Sequence, residues 1–119
     1  MLKFYTYKNC STCRKARLFL ENRKIHFKEF PIRETPPSSS ELQTMLLARG
    51  GKLTKIFNSG SQDYRDLSLK EKLPTLGQEE AFQILHRNGN LVKRPFLIGG
   101  GISLVGFREE DWEVALNAK

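Results

Sequence analysis

Residues 2–7, Leu-Lys-Phe-Tyr-Thr-Tyr, carry the aromatic and β-branched side chains that predict a strand. The period then lengthens: Ala16, Phe19 and Leu20 recur at the i, i+3, i+4 spacing of an amphipathic helix, and residues 21–24 close it. Either Asn9 or Ser11 is placed to cap that helix. Residues 25–30 return to alternation, with Ile25, Phe27 and Glu29 toward one face and His26, Lys28 and Phe30 toward the other. This β-α-β order predicts a parallel pair joined by a right-handed crossover.

Proline and serine interrupt the pattern at Pro31 and again over residues 35–40, which read as a linker. Ser38 and Glu41 form a capping box before the apolar positions Leu42, Met45, Leu46 and Leu47, and Gly50-Gly51 stops that helix. Residues 53–57 predict a short helix that buries Ile56 and Phe57, and Tyr64, Leu67 and Leu69 predict another. After Pro74, residues 75–78 offer a second capping box, followed by a helix with Ala81, Phe82, Ile84 and Leu85 on its buried face and Asn88-Gly89-Asn90 at its end. Residues 91–98 then lead into a third strand, with the three glycines 99–101 as a hairpin turn and residues 102–107 as the returning strand. Glu109, Glu110 and Asp111 suit the first turn of a last helix that carries Trp112, Val114, Ala115 and Leu116.

The order is βαβ, a helical insertion, then ββα: an α/β chain with a mixed four-stranded sheet. At 119 residues, positions 1–119 are expected to form one domain with the insertion at about 40–85. No apolar run approaches the length of a membrane span, and Met1-Leu2-Lys3 lacks the features of a secretory leader, so a cytoplasmic protein is expected. A net charge of +7 favours anionic partners. The basic residues are dispersed, however, and no aromatic platforms interleave with them, so direct nucleic-acid binding is not expected.

Both cysteines of the chain stand at the joint between the first strand and the first helix, as Cys10-Ser11-Thr12-Cys13. Cysteines three apart at a helix start share one face and lie close enough for a disulfide. Free N–H groups and the helix dipole favour a thiolate there, which makes Cys10 the candidate nucleophile and Cys13 the candidate resolving thiol. Two plainer readings compete. A zinc site would use Cys10, Cys13 and His26, but the second histidine it needs is replaced by Phe30, Pro31 and Ile32, and His86 is remote. Alternatively the two cysteines are inert core residues. The βα setting favours redox chemistry. His26 reads as an ordinary strand residue and His86 as a surface or capping residue.

Five stretches occur in order along the chain: Tyr5-Thr6-Tyr7, then 10–17 (Cys-Ser-Thr-Cys-Arg-Lys-Ala-Arg), Glu34-Thr35-Pro36-Pro37, Lys93-Arg94-Pro95 and Val105-Gly106-Phe107. In these the chain resembles the arsenate reductase–Spx family of glutaredoxin-like proteins. The resemblance implies a thioredoxin-like fold and a cis peptide before Pro95 beside the cysteines. It also implies a catalytic set of Cys10, Cys13 and Arg94, with Lys8, Asn9, Ser11, Thr12, Arg14 and Pro95 around the substrate. Two further oxyanion-binding arginines of the arsenate reductases correspond to Asn58 and Gly106, which argues against arsenate turnover.

What the resemblance implies is therefore a thiol–disulfide oxidoreductase of the arsenate-reductase-like branch. No tightly bound cofactor or metal is expected. Glutathione or a dithiol would be the reductant, a thiol or disulfide the substrate, and glutaredoxin or thioredoxin a protein partner; a monomer and no membrane are expected. The alternative is a Spx-like redox-sensing regulator that binds RNA polymerase. That branch shares Cys-x-x-Cys, Val-Gly-aromatic and a glycine near the end of the inserted helix, here Gly50-Gly51. In the reductase reading Arg94 stabilises a thiolate or an anionic group; in a structural reading it packs its stem and pairs with an acid such as Glu29.

Overall fold

The computed structural model describes residues 1–117. β1 (Leu2–Thr6) runs parallel to β2 (Phe27–Pro31), with Leu2 opposite Phe27 and Thr6 opposite Pro31; α1 (Ser11–Asn22) makes the crossover. β3 (Phe96–Gly99) lies antiparallel on the other side of β1, and β4 (Ile102–Val105) pairs antiparallel with β3. The order β2-β1-β3-β4 makes a mixed four-stranded sheet. Between the halves come α2 (Ser39–Ala48), α3 (Gln62–Asp66), α4 (Leu69–Lys72) and α5 (Gln78–Arg87), and α6 (Glu109–Asn117) follows β4. This is the thioredoxin-like arrangement with a helical insertion. Among the described residues no helix is long and apolar enough to cross a membrane.

Side chains alternate across the strands and supply two cores. Phe4, Leu97, Ile102 and Leu104 pack with Ala16, Phe19 and Leu20 of α1 and Trp112 of α6. Tyr5, Phe96 and Ile98 face the insertion, where Leu42, Met45, Ile56, Phe57, Leu85 and Val92 are buried. A carboxylate joins that face to the sheet. Glu41 completes the Ser38 capping box at the start of α2 and also accepts the Tyr5 hydroxyl at 2.7 Å and pairs with Lys3 at 2.8 Å. At the far edge, Arg49 Nη2 donates to the Ser103 carbonyl of β4 at 3.1 Å.

Several expectations are corrected by local geometry. The third strand begins at Phe96, late in the stretch that leads into it, because Leu91 belongs to a 3-10 turn and Val92 makes only an isolated bridge to Phe57; Gly99, expected in the turn, ends the strand. The Arg94–Pro95 peptide is cis, and Pro95 has no N–H to give to a ladder. The capping box at residues 75–78 does not form: Pro74 and Thr75 lie in a 3-10 turn and Gly77 caps α5 without a side-chain bond. The expected helix at 53–57 is a 3-10 turn over Leu53–Lys55, though Ile56 and Phe57 are buried as expected. The expected helix around Tyr64 and Leu69 is two, α3 and α4, divided at Ser68 with φ 53°. On α6, Val114 is exposed while Trp112 is buried.

Gly89 allows the insertion to close against the strand end. A Cβ there would strike the carbonyl of Ile32, just after β2, so any larger residue would push the Asn88–Asn90 loop away from the sheet.

Candidate cysteine site

The turn after β1 delivers Cys10 as the N-cap of α1, in extended backbone at φ −103° and ψ 111°. Its Sγ accepts the backbone N–H of Cys13 at 3.2 Å, so the sulfur occupies the position that a Ser or Asn oxygen holds in ordinary caps. Neither Asn9 nor Ser11 is the cap; Asn9 precedes it on the loop and Ser11 is the first helical residue. The first turn of α1 contains no acid, so nothing there opposes a negative sulfur at the helix start.

Both thiols are free, Cys10 half-buried and Cys13 fully buried. Burial, reinforced by a hydrogen bond with Cys10, pushes the Cys13 thiol up to about 12 from an ordinary 9.0, and the Tyr7 backbone and the Arg94 charge pull only weakly the other way. Tyr7 thus touches both sulfurs' residues: its carbonyl accepts the Cys10 N–H at 3.1 Å.

Pro95 is buried and follows a cis bond, and Arg94 before it is half-buried. The Arg94 guanidinium lies 4.8 Å from the Tyr7 ring centroid, and its Nη1 donates to Asn90 Oδ1 at 3.0 Å. Asn90 is itself fixed, since its amide and that of Asn88 donate to Asp63 Oδ2 at 3.2 and 2.9 Å. Arg94 does not pair with Glu29. That carboxylate takes the fork of Arg17 and the hydroxyl of Thr6, and the Arg17 bond holds it below the usual carboxylate range. Lys8, Asn9, Ser11 and Arg14 are exposed around Cys10, and Thr12 is half-buried. A cleft of about 330 Å³ opens beside them, lined by Thr6, Tyr7, Lys8, Arg17, Glu29, Pro31 and Glu34.

Asn58 and Gly106, which the resemblance aligns with arginines of the arsenate reductases, stand in other surroundings here. Asn58 donates from its side chain to the Asn90 carbonyl at 3.2 Å. Gly106 sits at φ +69°, a conformation that disfavours arginine, and Lys93 Cε would lie 3.2 Å from any Cβ built there. His26 is at the opposite end of the parallel pair from Cys10, about 13 Å of strand away, so the zinc arrangement is not assembled. His86 sits on α5 with Nδ1 3.5 Å from the Pro37 carbonyl.

Sequence reasoning missed Tyr7, Arg33 and Asn90. Arg33 Nη1 donates to the Tyr7 hydroxyl at 3.1 Å, and its guanidinium lies 5.1 Å from the same ring centroid. Hydrogen bonds with Asn9 and Arg33 hold the Tyr7 phenol below its ordinary range. Asn90, four residues before Arg94, was detectable as a polar residue in a tight turn; the Arg33–Tyr7 contact has no sequence spacing to reveal it.

A family model described as the ArsC family matches residues 5–115. The uncharacterized protein YusI of Bacillus subtilis (strain 168) is 41% identical over 112 residues, covering 94% of this chain and 95% of that one. The global transcriptional regulator Spx of Listeria innocua is 30% identical over 111 residues, covering 93% of this chain and 83% of its own. A possible arsenate reductase from Streptococcus mutans has a crystal structure that superposes with a TM-score of 0.86 at 39% identity, covering 95% of this chain and 98% of that one.

Proposed function

The chain belongs to the ArsC family, and on that footing we propose that it is a thiol–disulfide oxidoreductase with Cys10 as nucleophile and Cys13 as resolving thiol. The observation that carries this reading is the 3.2 Å contact from the Cys13 amide to Cys10 Sγ, which fixes the sulfur over a helix start free of acids. The Cys10 thiolate attacks one sulfur of a substrate disulfide R–S–S–R′, forming Cys10–S–S–R and expelling R′–S⁻, which takes up a proton. Cys13 then gives up its proton and attacks Cys10 Sγ. The mixed bond breaks, R–S⁻ leaves and is protonated, and the Cys10–Cys13 disulfide remains. Two electrons have passed from the dithiol to the substrate, and two glutathione thiols or one dithiol return them. Burial keeps Cys13 protonated until that second step. Arg94, held by Asn90, supports negative charge at the reacting sulfur or on the substrate.

Cys13→Ser is expected to trap Cys10 in mixed disulfides, and mild oxidation of the native chain to remove two hydrogens within one molecule. Intermolecular dimers or overoxidised Cys10 in place of the internal bond would remove Cys13 from the mechanism. Arsenate reduction in a glutaredoxin-coupled assay is expected to be weak, each missing charge-assisted contact at positions 58 and 106 costing about 1.5–3 kcal/mol of oxyanion binding. Turnover at the level of a dedicated arsenate reductase would refute that expectation.

A second reading rests on the 30% identity with Spx: the same disulfide acts as a switch and contact with RNA polymerase is the output. Small thiols and thiol enzymes among the partners trapped by Cys13→Ser favour the reductase. Redox-dependent retention of RNA polymerase favours the regulator.

A further inference from the structure

Among the described residues some cations have a carboxylate within ion-pair distance, Arg108 with Asp111 included, and others do not. Lys3, Arg17 and Arg23 each face a glutamate within ion-pair distance, respectively Glu41, Glu29 and Glu113. Arg33 and Arg94 do not: among the described residues no carboxylate lies within ion-pair distance of either. Both are nevertheless gathered on one aromatic ring, at 5.1 and 4.8 Å from the Tyr7 centroid. Each spends Nη1 on a neutral acceptor, the Tyr7 hydroxyl for Arg33 and the Asn90 amide oxygen for Arg94. Asp63 feels the Arg33 charge at longer range, but its Oδ2 is committed to the Asn88 and Asn90 amides.

Two like charges on one ring repel each other, and the ring offsets only part of that cost. A carboxylate between them would relieve it, since a guanidinium fork matches a carboxylate's two oxygens. The ring belongs to the residue whose main chain contacts Cys10 and Cys13, and the Arg94 charge is felt at the Cys13 thiol, so the two cations border the cysteine turn. We infer that Arg33 and Arg94, sharing the Tyr7 ring, form a carboxylate-binding subsite, and that the chain prefers disulfides carrying a carboxylate close to the scissile bond. Arg33 comes from the loop after β2 and Arg94 from the loop before β3, so the subsite is completed only by the fold. This substrate class rests on the oxidoreductase reading above.

Dithiobis(nitrobenzoate), a dianionic disulfide, and dithiobis(nitropyridine), a neutral one of similar size, separate the possibilities. Each exchanges with Cys10 to leave a Cys10–aryl mixed disulfide and one coloured aryl thiolate. Arg33→Gln should slow the dianionic reagent about fivefold to tenfold while leaving the neutral one unchanged. Arg33→Lys should recover part of the loss, and raised salt should narrow the difference between reagents. Equal slowing of both reagents would mean that Arg33 acts on the thiol itself, and no slowing of either would mean that it binds nothing; either result overturns the subsite. Arg33 is exposed, so its variants are expected to fold. If the native chain reacts with neither reagent, the oxidoreductase reading fails. The subsite is then decided by titrating S-methyl-thionitrobenzoate, a carboxylate that cannot exchange, into Cys10→Ser. Binding that is lost in Cys10→Ser/Arg33→Gln upholds the subsite, and binding that is unchanged or absent from the start overturns it.

Discussion

The face of the sheet under α1 and α6 is closed by aromatic rings, whereas the face under the insertion is tied down by amides and carboxylates. On the first, Trp112 meets Phe107, Phe19 and Phe4 edge-on at 5.0, 6.2 and 6.3 Å, and Phe27 meets Phe4 at 5.2 Å. On the second, apolar packing is punctuated by the Tyr5–Glu41 bond, the Asn58–Asn90 bond and the Asp63 relay to Arg94. The division follows from what each face must hold. Helix α1 begins at the sulfurs, and dispersion between rings helps to hold it against the sheet. The insertion holds the Arg94 guanidinium through Asn90 and Asp63, and a guanidinium is oriented by directional hydrogen bonds rather than by packing alone.

Truncation should expose the contrast most sharply at Trp112. Trp112→Ala is expected to cost about 3–5 kcal/mol in urea denaturation, because the ring is fully buried and its Nε1 bond to the Gly106 carbonyl is lost as well. A cost below about 1 kcal/mol would mean the ring cluster is not what secures α1. Helix α1 also carries a titration that only the reduced protein has. The folded Cys13 thiol is raised above its unfolded value, so its contribution is fully present below pH 9.0 and is lost as pH rises from there toward about 12. The oxidised protein has no such thiol, and equilibrium unfolding of the two forms across that window should diverge; parallel curves would break the assignment.

On the insertion face, Asp63→Ala should cost less, about 1–2 kcal/mol, by leaving the Asn88 and Asn90 amides without their acceptor. Its larger consequence should be functional, with a loosened Arg94 and slower reaction with dianionic disulfides than with neutral ones. If both reagents react at native rates, the relay does not position Arg94. The smallest effect is expected at Ser38→Ala, about 1 kcal/mol, since one cap bond disappears while Glu41 keeps its tie to Tyr5.

The features that the sequence revealed were those with a local signature. Ser38 and Glu41 are three residues apart and cap α2 as their spacing requires, and alternation placed Phe4 and Tyr5 on opposite faces. Pro95 was readable too: its missing N–H marks where a strand cannot yet run, and the structure starts that strand at Phe96. Other features had no local signal. A sulfur serving as its own helix cap looks, in sequence, like a cysteine beside two better caps. Arg33, Arg94 and Tyr7 are separated by whole elements, and contacts between a cation and a ring face leave no period to count. Glu29 was the acid considered for Arg94, but Arg17 lies 12 residues from it across the α1–β2 crossover and takes it instead.

Arg49 bears on how the molecule treats other chains. β4 is an edge of the sheet, and an edge with open carbonyls invites a foreign strand to add itself by main-chain pairing. The guanidinium on the Ser103 carbonyl already occupies one of those acceptors, so an incoming strand must first evict a charged group that has nowhere better to go. The opposite edge, β2, ends in Pro31, which has no N–H to offer, and presents Lys28 and Glu29 along its length. Both borders of the sheet therefore discourage chain-to-chain templating.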